Sequence, residues 1–169
     1  MAPPSGGGLR QRGPGRHPDH ERLALSTESP VATFLFTDLE GSTRLWEQQP
    51  DAMRPALAWH DRVSREVVAA QGGRIVKTTG DGIHAVFEQA AGGVAAALEL
   101  QRLLQADESR FGVPLRVRAG LHAGPSEGRD GDFYGPVLNR AARLMSVAHG
   151  GQVLLSQAVA EAARNHLPA

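Results

Sequence analysis

Two short runs of strand-forming residues, joined by a glycine-rich turn, constrain the fold of this chain more than any other feature. The runs are Arg74–Thr79 and Ile83–Phe87, and both contain β-branched residues. The turn between them, Gly80-Asp81-Gly82, supplies positive φ angles without steric cost. The pattern predicts a β-hairpin that has a carboxylate, Asp81, at its tip and a lysine, Lys77, inside its first strand.

The segments around this hairpin predict an open sheet covered by helices. Upstream, Val31–Asp38 is nearly all apolar, which is typical of a central strand that is buried on both faces. A polar turn and a helix follow, and helical periodicity restarts at Pro50 and ends at Gln71. Downstream, the pattern predicts a helix over 89–105, a strand over 115–121, a polar loop over 124–131, a helix over 135–147, a strand over 152–155 and a helix over 157–165.

This order of elements predicts the fold class. Strand, helix, strand, strand, helix, strand is the βαββαβ order of ferredoxin-like folds, in which an open sheet carries its helices on one face. We therefore predict an α+β, ferredoxin-like core with a C-terminal helix-strand-helix extension. Residues 1–30 are rich in Gly, Pro, Arg and His and nearly free of apolar residues, which predicts a disordered tail or linker. Residues 31–169 then form one domain.

Composition narrows the functions that the domain can have. The formal net charge is zero and the pI is about 7.1, so bulk attraction favours neither a nucleic-acid nor an anionic-membrane partner. Cysteine is absent, so any metal must bind oxygen or imidazole ligands, which points to hard ions such as Mg²⁺, Mn²⁺ or Ca²⁺. No apolar run approaches the length of a membrane span, and we expect a cytoplasmic protein.

Two carboxylates are predicted to converge at one edge of the sheet. Asp38 ends the buried strand, Asp81 lies on the hairpin turn, and the strands beside them are neighbours in a ferredoxin-like sheet. With a backbone carbonyl, best placed at Leu39, they would suit Mg²⁺ bound together with substrate phosphates. Taken alone, Asp81 is a good turn residue and Asp38 a helix cap. The pair, followed by the N–H groups of Gly41–Thr43 before a helix, favours a phosphate site.

Four motifs carry a resemblance to a known family. They are FTDLEGST at 36–43, KTTGD at 77–81, RAGLH at 118–122 and DFYGPVLNRAAR at 132–143. Together and in this order they closely resemble the catalytic domain of class III nucleotidyl cyclases, the adenylate and guanylate cyclases. The resemblance covers roughly residue 31 to the C-terminus. Each motif alone is weak, whereas chance does not account for four in the right order.

The resemblance implies a role for each of these residues. Asp38 and Asp81 match the metal-binding aspartates, and Leu39 matches the position that lends a carbonyl. The other matches are Gly41, Ser42 and Thr43 for the triphosphate turn, Arg118 for a phosphate contact, Lys77 and Asp132 for the purine, Asn139 for the ribose and Arg143 for the transition state. The family also implies ATP as substrate, two Mg²⁺ or Mn²⁺ ions and a homodimer. In this dimer one protomer supplies the metal-binding aspartates, and the other supplies the pair that reads the purine, the asparagine and the arginine.

The residue types fit this chemistry independently. Adenine accepts a hydrogen bond at N1 and donates one at N6, so Lys77 and Asp132 match it, whereas guanine presents the reverse at both positions. Asn139 and Arg143 are four residues apart on a predicted helix and share a face, where the guanidinium can meet developing phosphoryl charge. One departure concerns Gln152, which stands where some family members have a phosphate-binding lysine. Triphosphate affinity then rests more heavily on Arg118 and the metals.

We therefore predict an adenylate cyclase that converts ATP to 3′,5′-cyclic AMP and pyrophosphate by a two-metal mechanism. The alternatives are a non-catalytic cyclase-like module that binds nucleotide or a partner protein, a guanylate cyclase, and another two-metal nucleotidyl-transfer enzyme with the same sheet topology. No dedicated general base is evident. His84 and His122 lie on strands and are expected to be packed or solvent-facing.

Overall fold

A five-stranded sheet, in the order β2-β3-β1-β4-β7, organises the computed structural model, which describes residues 29–108 and 110–167. The strands are β1 (Val31–Leu39), β2 (Gly73–Thr78), β3 (Ile83–Phe87), β4 (Val117–Pro125), β5 (Glu127–Arg129), β6 (Asp132–Tyr134) and β7 (Val153–Leu155). The helices are α1 (Ser42–Gln48), α2 (Pro50–Ala70), α3 (Ala90–Ala106), α4 (Pro136–Val147) and α5 (Gln157–Ala163), with a 3₁₀ turn over Arg164–His166. The predicted tail lies almost entirely outside the described residues.

The first six elements of the core confirm the predicted ferredoxin-like order. Strand β1 lies at the centre, antiparallel to β3 on one side and to β4 on the other. It is buried because helices cover both faces, as its nearly continuous apolar run indicated. Helices α2, α3 and α5 pack on one face over the main core. Helix α4 packs on the opposite face, against β1 and β4.

The prediction of a polar loop over 124–131 is wrong. Strand β4 continues to Pro125, where it pairs with Val31, and the following residues form a two-stranded ribbon of β5 and β6. The ribbon turns at Asp130 and Gly131, which both have positive φ. Its first strand is exposed along its whole length, so neither face needs apolar residues and the alternation that signals a strand is missing. The last helix also ends at Ala163, two residues earlier than predicted.

Close contact between α4 and the sheet depends on Gly120. A Cβ atom at this position would lie 2.2 Å from the Met145 nitrogen and 2.7 Å from the Ala141 oxygen, both backbone atoms of α4. We expect Gly120→Ala to lower the free energy of unfolding by about 1–3 kcal/mol, because the helix must move away from the sheet. Urea denaturation measures this change. The control is Gly128→Ala on the exposed ribbon, where the nearest atom is Phe133 Cε1 at 3.8 Å. Equal stability of the two variants would contradict the packing argument.

Among the residues that the structure describes, no helix combines the length and apolar character needed to cross a membrane.

Candidate active site

The hairpin turn packs directly against the end of β1. The backbone N–H of Ile83 donates to Thr37 Oγ1 at 3.0 Å, and Gly82 lies so close to the Thr37 carbonyl that a Cβ atom there would be 2.0 Å from its oxygen. Only glycine fits this position. The contact places Asp81, one residue before Gly82, beside the strand end that carries Asp38, as the topology predicted.

Asp38 is paired with an arginine of the neighbouring strand. The two residues are register partners on β1 and β4, and the Arg118 Nε and Nη2 atoms donate to Asp38 Oδ2 at 2.9 and 2.5 Å. Arg118 Nη1 also donates to the Ser146 carbonyl of α4 at 3.2 Å. Arg116, two residues earlier, pairs with Glu108 instead, at 3.0 Å. The structure therefore brings Arg118 rather than Arg116 to the carboxylate edge.

The donor groups at this edge suit a hard metal ion. Among residues 29–108 and 110–167, no three acidic or histidine side chains gather into a cluster that could hold a metal alone. Asp38 and Asp81 supply carboxylate oxygens, and Asp38 Oδ1 makes no hydrogen bond to the described residues. Two carboxylates suit Mg²⁺ or Mn²⁺, which keep water and phosphate oxygens as their other ligands. The residues present fit the predicted ions.

The loop between β1 and α1 follows this edge immediately. Gly41 has φ of 68° and forms the N-cap of α1, and the Leu45 N–H donates to its carbonyl at 3.1 Å. The left-handed conformation suits glycine because it has no Cβ. Ser42 and Thr43 begin the helix, and neither they nor Gly41 is buried. Leu39, in contrast, packs its side chain in the core at 2% exposure, which leaves only its backbone for a ligand.

A separate cavity holds the predicted purine pair. Lys77 Nζ, on β2, donates to Asp132 Oδ2, on β6, at 2.9 Å. The Phe133 N–H donates to the other carboxylate oxygen at 2.8 Å. The Lys77 hydrogen bond and then this backbone hydrogen bond hold the pKa of Asp132 below its ordinary value, so the carboxylate is charged at neutral pH. The pair therefore offers one charged donor and one charged acceptor side by side.

The cavity has a volume of about 560 Å³, within the range of small-molecule sites. Its walls are largely aromatic and apolar, with Asn139 as a further polar group. They include Phe34, Phe36, His84, Phe133, Pro136 and Leu138. Asp38, Asp81 and Arg118 do not line it. Within one chain, the carboxylate edge and the purine pair thus occupy separate places.

Asn139 and Arg143 do not line the same cavity, although both lie exposed on α4. Asn139 faces the purine pair, whereas Arg143 lines a second cavity of about 490 Å³ with His122 and Arg140. Burial and then the Arg140 guanidinium lower the pKa of His122, which favours its neutral form. The four-residue spacing predicted that the two side chains share a face of the helix, but within one chain they line different cavities.

The sequence pattern did not predict His84 as a site residue. The packed arrangement that we expected for this histidine is confirmed, but the ring also forms part of the cavity wall. Its ring stacks on Phe36 with centroids 3.8 Å apart and lines the cavity beside Lys77. The signal that could have revealed it is register, because His84 pairs with Phe36 on one side and with Lys77 on the other.

Known proteins resemble this chain in both sequence and fold. The sequence profile of the adenylate and guanylate cyclase catalytic domain matches residues 25–167. A solved structure from a study of adenylate cyclases from Trypanosoma brucei in their monomeric state superposes with a TM-score of 0.74 at 30% identity, covering 86% of this chain and 83% of the other. This chain therefore belongs to the class III nucleotide cyclase family.

Two relatives illustrate the range of full-length proteins in which such a domain occurs. An uncharacterised protein of Mycobacterium tuberculosis is 40% identical over 82% of this chain and 47% of its own length. The adenylate cyclase of Schizosaccharomyces pombe is 34% identical over 84% of this chain and only 10% of its own length. The chain thus spans about half the length of the mycobacterial relative and a small part of the fungal one.

Proposed function

We propose that this chain is an adenylate cyclase domain that converts ATP to 3′,5′-cyclic AMP and pyrophosphate at sites shared between two copies. The observation that carries the proposal is the Lys77–Asp132 pair in the cavity, with 2.9 Å between Nζ and Oδ2. The ammonium can donate to adenine N1, and the carboxylate can accept from the N6 amino group. Guanine has a donor at N1 and an acceptor at O6, so it would leave both charged groups mismatched.

The proposed reaction forms one bond and breaks one. The ribose 3′-oxygen bonds to the α-phosphorus, the bond from that phosphorus to the bridging oxygen breaks, and pyrophosphate leaves. The hydroxyl proton passes to solvent, since the described residues offer no dedicated base. Asn139, on the wall of the purine cavity, would orient the ribose, and Arg143 would place its guanidinium against the charge that builds on the phosphoryl oxygens.

The carboxylate edge would hold the triphosphate end of ATP. Asp38 and Asp81, with the Leu39 carbonyl, would hold Mg²⁺ or Mn²⁺, whose chemistry when bound is to acidify the 3′-hydroxyl and neutralise phosphate charge. The loop at Gly41–Thr43 would wrap the phosphates, and Arg118, already at this edge through its pair with Asp38, would contact them. Gln152 cannot supply a positive charge here, so Arg118 and the ions carry this part of the binding.

The separation of the two groups within one chain supports a shared site. Asp38 and Asp81 lie at the end of β1, whereas Lys77, Asp132 and Asn139 line the cavity under α4. In the proposed dimer, the edge of one copy faces the cavity of the other. Residues 31–169 would form this domain, and residues 1–30 a tail or linker to other parts of the protein.

One assay tests the proposed activity and its substrate. The protein is incubated with ATP or GTP and with Mn²⁺ or Mg²⁺, and cyclic nucleotide is measured. We expect cyclic AMP from ATP and a kcat/KM for GTP lower by roughly 10²–10³-fold, because a bound guanine would cover Lys77 and Asp132, which are partly exposed here, and leave both without a matching partner on the base. The absence of product from either nucleotide would reject the enzyme and favour a non-catalytic module. A preference for GTP would reject the assignment of Lys77 and Asp132.

A further inference from the structure

Three side chains from neighbouring strands form a row across one face of the sheet. His84 on β3 is the register partner of Phe36 on β1 and of Lys77 on β2, despite a bulge between Ile75 and Lys77. Register partners point to the same face and contact one another directly. The imidazole therefore lies between an aromatic ring and the ammonium group of the purine pair.

The stack with Phe36 fixes the orientation of the imidazole. The ring centroids are 3.8 Å apart at an interplanar angle of 33°, and Phe36 is itself buried at 5% exposure. A ring held in this way cannot turn out to solvent without losing the stack. His84 therefore presents a fixed polar edge to the cavity that holds Lys77, Asp132 and Asn139.

Burial of His84, together with the ammonium group beside it, favours the neutral form of its ring. Burial lowers its pKa first, the Lys77 ammonium lowers it further, and the Asp132 carboxylate opposes both by raising it. The face of α4 that lines the cavity contributes Leu138, Asn139 and Ala142, none of which titrates, and β6 contributes the exposed phenol of Tyr134 in addition to Asp132. Because the folded-state pKa lies below the ordinary 6.5, the ring is neutral at physiological pH and gains a proton only at more acid pH.

We propose that His84 is a positioning residue for purine recognition, acting through the charged pair beside it. When the imidazole is neutral, the Asp132 carboxylate interacts only with Lys77 and the base. As a cation it becomes a second positive charge that draws this carboxylate away from the N6 amino group. This inference rests on the proposed function in one respect, namely that a purine nucleotide occupies the cavity. The inference adds a residue that affects nucleotide affinity, and it predicts that this affinity falls at acid pH when His84 gains a proton.

Nucleotide binding as a function of pH tests the inference without turnover. The probe is 3′-deoxy-ATP, which lacks the attacking hydroxyl, and calorimetry with Mg²⁺ gives its affinity. Below the pKa of His84, we expect wild-type affinity to fall by up to about tenfold per pH unit more than that of His84→Phe. The phenyl ring can keep the stack on Phe36 but cannot titrate, so the difference in pH dependence between the two proteins isolates the effect of the imidazole proton. The terminal phosphate titrates equally in both proteins.

Two further variants sharpen the comparison. His84→Lys carries a permanent charge, and we expect it to bind at least about tenfold more weakly than wild type even at neutral pH. His166→Gln removes an exposed imidazole in the 3₁₀ turn, away from the cavity, and should keep the wild-type pH dependence. If wild type and His84→Phe lose nucleotide affinity equally at acid pH, the proposal is wrong.

Histidine NMR supplies a readout that does not depend on the nucleotide. The resonance that is missing from His84→Phe identifies the ring, and its titration gives the pKa directly. We expect Lys77→Ala to raise this pKa and Asp132→Asn to lower it further, because the ammonium lowers it and the carboxylate raises it. A pKa that responds to neither change would overturn the proposal. If cyclic nucleotide is absent but the pH effects occur, the proposed activity fails while His84 keeps its role; if no nucleotide binds at any pH, both fail.

Discussion

Replacement of Asp38 by asparagine is expected to abolish cyclic nucleotide formation while leaving the fold intact. The amide is neutral and a poor ligand for Mg²⁺, so the edge loses half of the carboxylate charge available to hold the ions. We expect kcat to fall by roughly 10³-fold or more, because the ions supply most of the charge stabilisation in phosphoryl transfer. A cyclic AMP assay under saturating ATP measures this change.

The same variant should remain folded. Asparagine has the volume of aspartate, and its amide oxygen can still accept from Arg118, so the sheet loses only part of one partly exposed ion pair. We expect Tm to change by no more than a few degrees. Asp51→Asn is the matched control, since this carboxylate is 97% exposed on α2 and should leave activity unchanged. Turnover that persists in Asp38→Asn would reject the metal assignment.

A mixture of two inactive proteins is expected to regain activity if the sites are shared. Lys77 and Asp81 are four residues apart in one hairpin, but in the proposed dimer they serve different sites. When Lys77→Ala and Asp81→Ala subunits exchange, each mixed dimer has one site with both residues intact and one with neither. At equal amounts, random pairing restores about a quarter of wild-type activity, because half of the dimers carry one working site out of two.

A second mixture provides the control. Lys77→Ala and Asp132→Ala both damage the purine pair, which each copy supplies as a unit, so every site in their mixed dimer is defective. This mixture should stay inactive. Exchange of labelled subunits, followed by energy transfer between fluorophores, shows that mixed dimers have formed. If the first mixture stays inactive despite exchange, both groups act within one chain and the shared-site proposal is wrong.

The sequence predicted the sheet well because its signals were local or strongly patterned. The apolar run of β1 indicated a strand covered on both faces, and Gly80-Asp81-Gly82 indicated the hairpin. The ribbon of β5 and β6 was missed because a polar strand exposed on both faces has no hydrophobic period. The placement of α4 on the opposite face depends on Gly120, whose significance is visible only where the helix backbone meets the sheet.

Some features of the candidate site could likewise be predicted from the sequence, and others could not. Motif order marked Asp38, Asp81, Lys77 and Asp132, and topology alone placed the first two at neighbouring positions. That Lys77 and Asp132 form a 2.9 Å ion pair could not be inferred from spacing, since 55 residues separate them. The separation of Asn139 from Arg143 was also hidden, because a four-residue spacing fixes direction on a helix but not which cavity each side chain enters.

By itself, the sequence determined the family, the order of the strands and helices of the core, and the residue types that phosphate, metal and purine chemistry require. These depend on covalent order and local patterns, which a chain carries with it before folding. Only the tertiary structure decided which groups meet. Strand register set His84 between Phe36 and Lys77, and the packing of the hairpin turn on Thr37 brought the turn that carries Asp81 to the end of β1. Such contacts join residues far apart in the chain, so they exist only once the sheet has formed.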